Sequence, residues 1–291
     1  MIVASRKDLV RSAIVEALRV RREADFRLCD AVCPFDLAER NGIEVRFQAL
    51  ASFDGMRSGD FDGSTIVISS LRPPGRKAFT CAHELGHEVF DHGVQFDELV
   101  ECREAQRKNE PEEMIADAFA GFLLMPKSAV EHGLAVRGLP IASCGPREIY
   151  ALASWLGVGY TTLIWHLQCG LRLLGATRAN ELRKVRLSRI RKEFLGYDCP
   201  GELVIVDSHW HGRPVDIQVH DLALIPADGR AEGTCIEAAP DPTGRVLVRG
   251  VTPGIGRLIL EDSGWSSFIR VSRRDYVGRN KYRHLEETDD E

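Results

Sequence analysis

Apolar residues recur at helical spacing from Asp8 to Arg22, as Leu9, Val10, Ile14, Val15 and Leu18, with basic residues between them. That period predicts an amphipathic helix. Cys29 and Cys33 follow four apart, then a helical run from Phe35 to Arg40 that Asn41-Gly42 closes. Ile43 to Phe47 alternates apolar and polar as a half-buried strand does, Gly55 to Gly63 is turn-rich, and Ser64 to Ser69 reads as another strand. Pro73-Pro74-Gly75 then turns the chain into an apolar helical run around Phe79 to Phe90. A long polar stretch, Gly93 to Pro111, leads to a second strong helix, Glu112 to Leu124, with Ile115, Phe119, Phe122 and Leu123 on one face and Met125-Pro126 as its stop. Arg147 to Leu156 and Tyr160 to Leu171 read as two helices about the turn Gly157-Val158-Gly159, the spacing of a helix-turn-helix unit. The second of these helices is mostly apolar, which suits a packing role better than base recognition.

Beyond residue 200 the period changes to two. Short alternating runs at 203–206, 216–219, 223–225, 233–237, 246–248, 257–260 and 267–271 are separated by turns such as Pro253-Gly254 and Asp262-Ser263-Gly264. The expected fold is α+β: residues 1–139 as one domain, 140–200 as a helix-turn-helix-like and basic helical segment, 201–285 as a small β-barrel or sandwich, and 286–291 as an acidic tail.

Composition alters this picture little. A chain of 291 residues that is 44% hydrophobic and 28% charged has ordinary globular proportions. Its net charge of -5 argues against bulk attraction to nucleic acid, so any basic patch has to be local. The one clear patch holds Arg183, Lys184, Arg186, Arg189, Arg191 and Lys192, with Leu187, Ile190 and Phe194 as an apolar seam. It reads as a helix with a basic face, either a solvated linker or a phosphate-contacting surface. The start runs into a charged amphipathic segment, not an apolar leader, and no apolar run reaches membrane-spanning length. The expectation is a cytoplasmic protein without a membrane partner, whose 8 cysteines are mostly reduced, buried thiols.

The chemistry concentrates in His83-Glu84-Leu85-Gly86-His87. Residues i and i+4 share a helix face, so His83 and His87 can aim two imidazoles at one ion while Glu84 holds a water beside it. A zinc hydrolase needs a third protein ligand and an open position. In the second helix Glu113 and Asp117 are again four apart, which suits Glu113 as ligand and Asp117 as the group that orients a ligating histidine. Glu112 competes for the ligand role but does not share a face with Asp117. Glu84 would act as general base, with His92, His132 and Tyr150 as open alternatives for an oxyanion donor. His209-Trp210-His211 is a weaker metal candidate without an evident acidic or thiol partner.

The run His83 to His87, followed by Glu113-x-x-Ala116-Asp117-x-Phe119-Ala120 and Leu123-Leu124-Met125-Pro126, resembles the ImmA/IrrE family of zinc metallopeptidases over roughly the first 170 residues. The resemblance implies a gluzincin-like fold, a Zn2+ cofactor and cleavage of a helix-turn-helix transcriptional repressor that controls DNA-damage, mobile-element or anti-phage genes. The β-rich C-terminal part is similar to the CapP peptidases that accompany anti-phage (CBASS) operons; this second domain and the basic helix would sense a signal, with single-stranded DNA as the candidate partner. That similarity would make Cys102 a thiolate closing the fourth zinc position, a cysteine switch, since a thiolate between the two ligand helices can reach the metal. The other class is a zinc-containing DNA-binding regulator without protease activity, against which an intact Glu84 argues. If Cys102 closes the site, Cys102→Ala raises basal cleavage of a co-expressed repressor; unchanged basal cleavage, followed by gel electrophoresis, removes that role.

Overall fold

The computed structural model describes residues 5–60, 63–93, 110–199, 201–210, 213–241, 244–262 and 264–285. Cys102, His211 and the acidic tail fall outside the described residues. The fold is mixed α+β with a β-rich C-terminal region, and among the described residues no helix is long and apolar enough to cross a membrane.

The first long helix, α1 (Arg6–Glu23), starts at a Ser5/Asp8 capping box. It packs across a later helix through Ala13, Ala17 and Val20, and its buried Arg21 donates to the carbonyls of Leu123 (2.6 Å) and Arg27 (3.1 Å). A cation thereby satisfies a backbone acceptor at another helix's C-terminal end. Then come α2 (Pro34–Arg40), β1 (Glu44–Gln48), β2 (Gly55–Asp60), β3 (Gly63–Ser69), α3 (Pro74–Val89) and α4 (Pro111–Leu124). Strands β1 and β3 pair in parallel, and β2 lies antiparallel to β3 at the sheet edge. The segment expected to be turn-rich is therefore largely an edge strand. Gly-Met-Arg-Ser-Gly-Asp lacks the β-branched residues that mark strands, and its pairing with β3 overrides that weak propensity.

Helices α5 (Lys127–Ala135), α6 (Pro146–Leu156) and α7 (Tyr160–Trp165) follow, and α7 runs into one π-helical turn over His166–Gly170. The basic stretch is not one helix. It divides into α8 (Ala176–Arg183) and α9 (Leu187–Leu195), with the break at Lys184–Arg186.

The C-terminal region contains β4 (Leu203–Ile205), β5 (Val215–Gln218), β6 (Leu222–Ile225), β7 (Gly229–Glu232), β8 (Ile236–Ala239), β9 (Val246–Gly250), β10 (Gly254–Leu260) and β11 (Trp265–Ser272). They form two four-stranded sheets, β5-β11-β10-β7 and β4-β6-β9-β8. The run read as one strand at 233–237 breaks at Gly233, whose φ of 141° only glycine takes easily. One more strand, β12 (Gly278–Arg279), returns to the first sheet and pairs antiparallel with β1, giving the order β12-β1-β3-β2.

Arginines join this region to the helices and to the first sheet. Arg270 bridges Asp36 (2.9 Å) and Asp216 (2.6 Å), Arg283 lies over the Phe35 ring, and Arg137 grips Asp207 with two nitrogens at 2.7 and 3.0 Å. Burial alone would raise the Asp216 pKa, but Arg283 and Arg270 outweigh it and hold the carboxyl below its usual range. A depressed carboxylate stabilises the fold above its unfolded pKa of about 3.9, and that contribution fades as pH falls further. Asp216→Asn therefore lowers stability by about 3 kcal/mol at neutral pH. In urea titrations the gap between the two proteins narrows below about pH 4; a gap independent of pH would contradict this.

Candidate metal centre

Helix α3 presents His83, Glu84 and His87, and α4 brings Glu113 to them. The two helices meet closely because Gly86 faces α4: a Cβ there would lie 3.0 Å from Phe119 Cδ1 and 3.2 Å from the Ala116 Cα. A side chain there would require the Phe119 ring or the α4 backbone to give by a few tenths of an ångström.

The His83 and His87 Nε2 atoms stand 3.1 Å apart. Glu113 oxygens lie 3.4 Å from His83 Nε2 and 3.5 Å from His87 Nε2. Zinc bonds of about 2.0–2.1 Å in tetrahedral geometry put neighbouring ligand atoms about 3.3 Å apart. Two imidazole nitrogens and one carboxylate at these separations fit zinc and leave the fourth position to solvent or substrate. This is the one potential metal-holding cluster among the described residues, with all its donor atoms within 4.8 Å of one another.

Each imidazole is held from behind. His83 Nδ1 is 3.0 Å from Asp117 Oδ1, so its N–H donates to the carboxylate and Nε2 is left free to bind. His87 Nδ1 is 2.9 Å from His92 Nδ1. With Nε2 facing the cluster, His87 donates from Nδ1 and His92 accepts, which fixes both tautomers. His92 therefore stands behind the His87 ring through its Nδ1. Tyr150 is committed elsewhere, donating to the Leu203 carbonyl at 2.6 Å, and His132 is an exposed residue on α5. Sequence spacing gave no hint of the His92 role, because the chain reverses between His87 and His92 through Asp91, at φ 50°.

The electrostatics suit a cation. Burial opposes a charged His83, but Asp117, Glu113 and Glu84 outweigh it and raise the pKa, so the cluster favours positive charge. Burial and the charge on His83 together lower the pKa of His87. Buried Glu84 sits against β2: a Cβ on Gly55 would meet Thr80 Cγ2 at 2.3 Å and Glu84 Cγ at 3.5 Å. Along the same strand Arg57 binds both the Glu88 carboxylate and the His92 carbonyl, while Ser64 Oγ donates to Glu88 at 2.6 Å. The sheet edge is thus fastened to α3 and to the residue that backs His87.

The basic residues do not gather here. Arg183 lies over the Trp165 ring and donates to Gln168 (2.8 Å); Lys184 and Arg186 are exposed. Arg189 pairs with Glu193 and Lys192 with Asp198. Arg191 is bound up in the fold, donating to Tyr150 and Gly201 and pairing with Glu202. Cys81 is fully buried in α3, and Cys33, also buried, contacts Arg270 at 3.7 Å.

Fold and site together define an α+β domain carrying a two-histidine, one-glutamate cluster that could hold a metal. Residues 38–162 match the IrrE N-terminal-like domain of the peptidase M78 group, so this part of the chain is similar to the ImmA/IrrE family. The radiation response metalloprotease IrrE of Deinococcus radiodurans is 31% identical over 93 residues, covering 31% of this chain and 27% of that protein. A solved structure described as a Mycobacterium tuberculosis transcriptional regulator is 18% identical with a TM-score of 0.35, over 54% of this chain and 46% of that one. The chain thus spans less than half the length of either relative.

His92→Phe keeps an aromatic ring beside Phe90 but removes the acceptor behind His87. Zinc affinity should fall about 10–100-fold, read by chelator competition, with an unchanged circular dichroism spectrum; unaltered affinity would mean that packing alone orients His87.

Proposed function

We propose that this chain is a zinc-dependent, gluzincin-like regulatory endopeptidase, with His83, His87 and Glu113 as metal ligands, Asp117 and His92 as their orienting partners, and Glu84 as general base. The observation that carries this reading is the tetrahedral spacing of three donors beside a buried glutamate and a sheet edge. When bound, zinc acidifies a water and polarises a peptide carbonyl. Glu84 takes the proton from the attacking water and delivers it to the departing amine, so one carboxylate serves as base and then as acid. Strand β2 orients the substrate: an extended segment adds to its open edge and lies beside Glu84.

The match of residues 38–162 to a peptidase domain supports a protein substrate. The specific substrate proposed is a helix-turn-helix transcriptional repressor, cut to release stress or anti-phage genes in the manner of CapP-like members. Helices α6 and α7 would be a helix-turn-helix-like extension. Leu163 and Ile164 of α7 are buried, which supports a packing role for that helix. Single-stranded DNA as an activating partner would engage Arg183, Lys184 and Arg186, since the other three basic residues are ion-paired.

Glu84→Gln is the test. It should retain one zinc per chain by atomic absorption while cleavage of a co-expressed repressor drops about 100- to 10,000-fold. Full cleavage by the variant would exclude Glu84 as base, and a wild-type protein that binds no zinc would exclude the metal centre.

A further inference from the structure

A groove of about 910 Å³ runs between α1, α4 and the α7 turn, and one of the residues lining it is Asp117. That carboxylate also holds His83, so one lining residue of the groove touches the His83/His87/Glu113 cluster. Val10, Ile14, Phe79 and Phe122 give it an apolar floor. Arg6, Lys7 and Arg11 on one wall and Arg172 on the other add four exposed cations. None of the four has an ion-pair or side-chain hydrogen-bond partner among the described residues. Elsewhere the chain, with a net charge of -5, ties down arginines such as Arg57, Arg137, Arg191 and Arg270. Half-exposed Trp165 and exposed Cys169 complete the wall nearest Arg172.

We infer that this groove is an exosite for the protein substrate and takes an amphipathic helix whose polar face is acidic. The inference rests on the peptidase reading and adds a recognition element beyond the cleavage centre. The volume lies at the upper end of the range for small-molecule pockets, about 300–1,000 Å³. An apolar floor between basic walls is the arrangement that receives one face of an amphipathic helix. The lining is mixed in charge, with four cations and the exposed Asp117 carboxylate, which lies one turn along α4 from Glu113. A uniformly anionic polymer would bring phosphates toward those carboxylates. A polypeptide can place acidic residues against the cations and neutral ones beside Asp117. Docking there would raise the local concentration of the scissile segment at β2 without touching the reacting atoms.

The experiment uses the full-length, zinc-loaded Glu84→Gln protein, so binding is measured apart from cleavage. The probe is a fluorescein-labelled synthetic helix with Leu at i, i+3, i+4 and i+7 and Glu on the opposite face. Its controls are a scrambled isomer of the same composition and an oligothymidylate. The helix should bind more tightly than its isomer by fluorescence anisotropy. It should also slow maleimide labelling of Cys169, read by peptide mapping. The combined Arg6→Glu, Lys7→Glu and Arg11→Glu variant should lose about tenfold in affinity while keeping its zinc and its melting temperature. Equal affinity for the isomer, or no effect of charge reversal, overturns the proposal. So does protection of Cys169 by oligothymidylate alone, which assigns the groove to nucleic acid, or by a concentration-dependent dimer, which assigns it to a second copy. A wild-type protein that cleaves nothing would defeat the peptidase reading and leave this binding result standing on its own.

Discussion

Helices α3 and α4 come together over Gly86, and the metal centre depends on that approach. A side chain at this position would meet Phe119 and the backbone of Ala116 at about 3 Å, closer than a packed Cβ normally comes. With hydrogen in its place, α4 settles into α3, and the carboxylate of Glu113 arrives within 3.5 Å of both imidazoles. Asp117, one turn further along, reaches the far side of His83. Two of the three donors come from one helix and the third from its neighbour, so the interhelical distance sets the size of the coordination shell. Fully buried Ala82, Leu85, Ala116, Phe119 and Ala120 hold that distance, and the buried guanidinium of Arg21 fastens the end of α4 to α1.

The sheet is tied to the same two helices by a different kind of contact. Gly55 allows β2 to lie against Thr80 and Glu84, while Arg57 and Ser64 anchor Glu88 at the end of α3. Arg57 also holds the His92 carbonyl, and the His92 ring backs His87. One continuous set of hydrogen bonds therefore runs from the strand that would receive substrate to an imidazole that would hold metal. A displacement of β2 would be felt at both the base and a ligand. Polar networks of this kind are worth most when every member is satisfied.

Much of this was legible in the chain itself. A helix places i and i+4 on one face whatever its surroundings, so His83/His87 and Glu113/Asp117 each declare a shared direction before any fold is known. The roles of β2 and His92 were not legible. The first depends on cross-strand pairing that gives Gly-Met-Arg-Ser-Gly-Asp a conformation its composition does not favour. The second depends on a left-handed residue, Asp91, that folds the chain back on itself. The basic stretch misled for a related reason. Its period suggested one continuous basic face, but a break at Lys184–Arg186 divides it, and Arg191 turns into the fold toward Tyr150, Gly201 and Glu202. Local periodicity cannot anticipate partners that only the tertiary fold supplies.

The last strand gives the C-terminal half a part in the site although none of its residues reaches the metal cluster. In a sheet ordered β12-β1-β3-β2, the parallel pair β1–β3 is central and each flank is exposed to pairing. An open edge is a liability, because its unpaired N–H and C=O groups accept any extended chain. Through Gly278 and Arg279, β12 covers the β1 flank, and the Arg270 and Arg283 contacts with Asp216, Asp36 and Phe35 hold that return in place. Among the described residues β2 is left with a single strand neighbour, β3, and it is the strand that lies against Glu84. Among the described residues the fold thus covers part of the β1 flank, far from the cluster, and leaves β2 paired on one side only. Strand addition, the commonest non-specific hazard of a sheet, is in this way directed to the strand beside Glu84, the proposed general base.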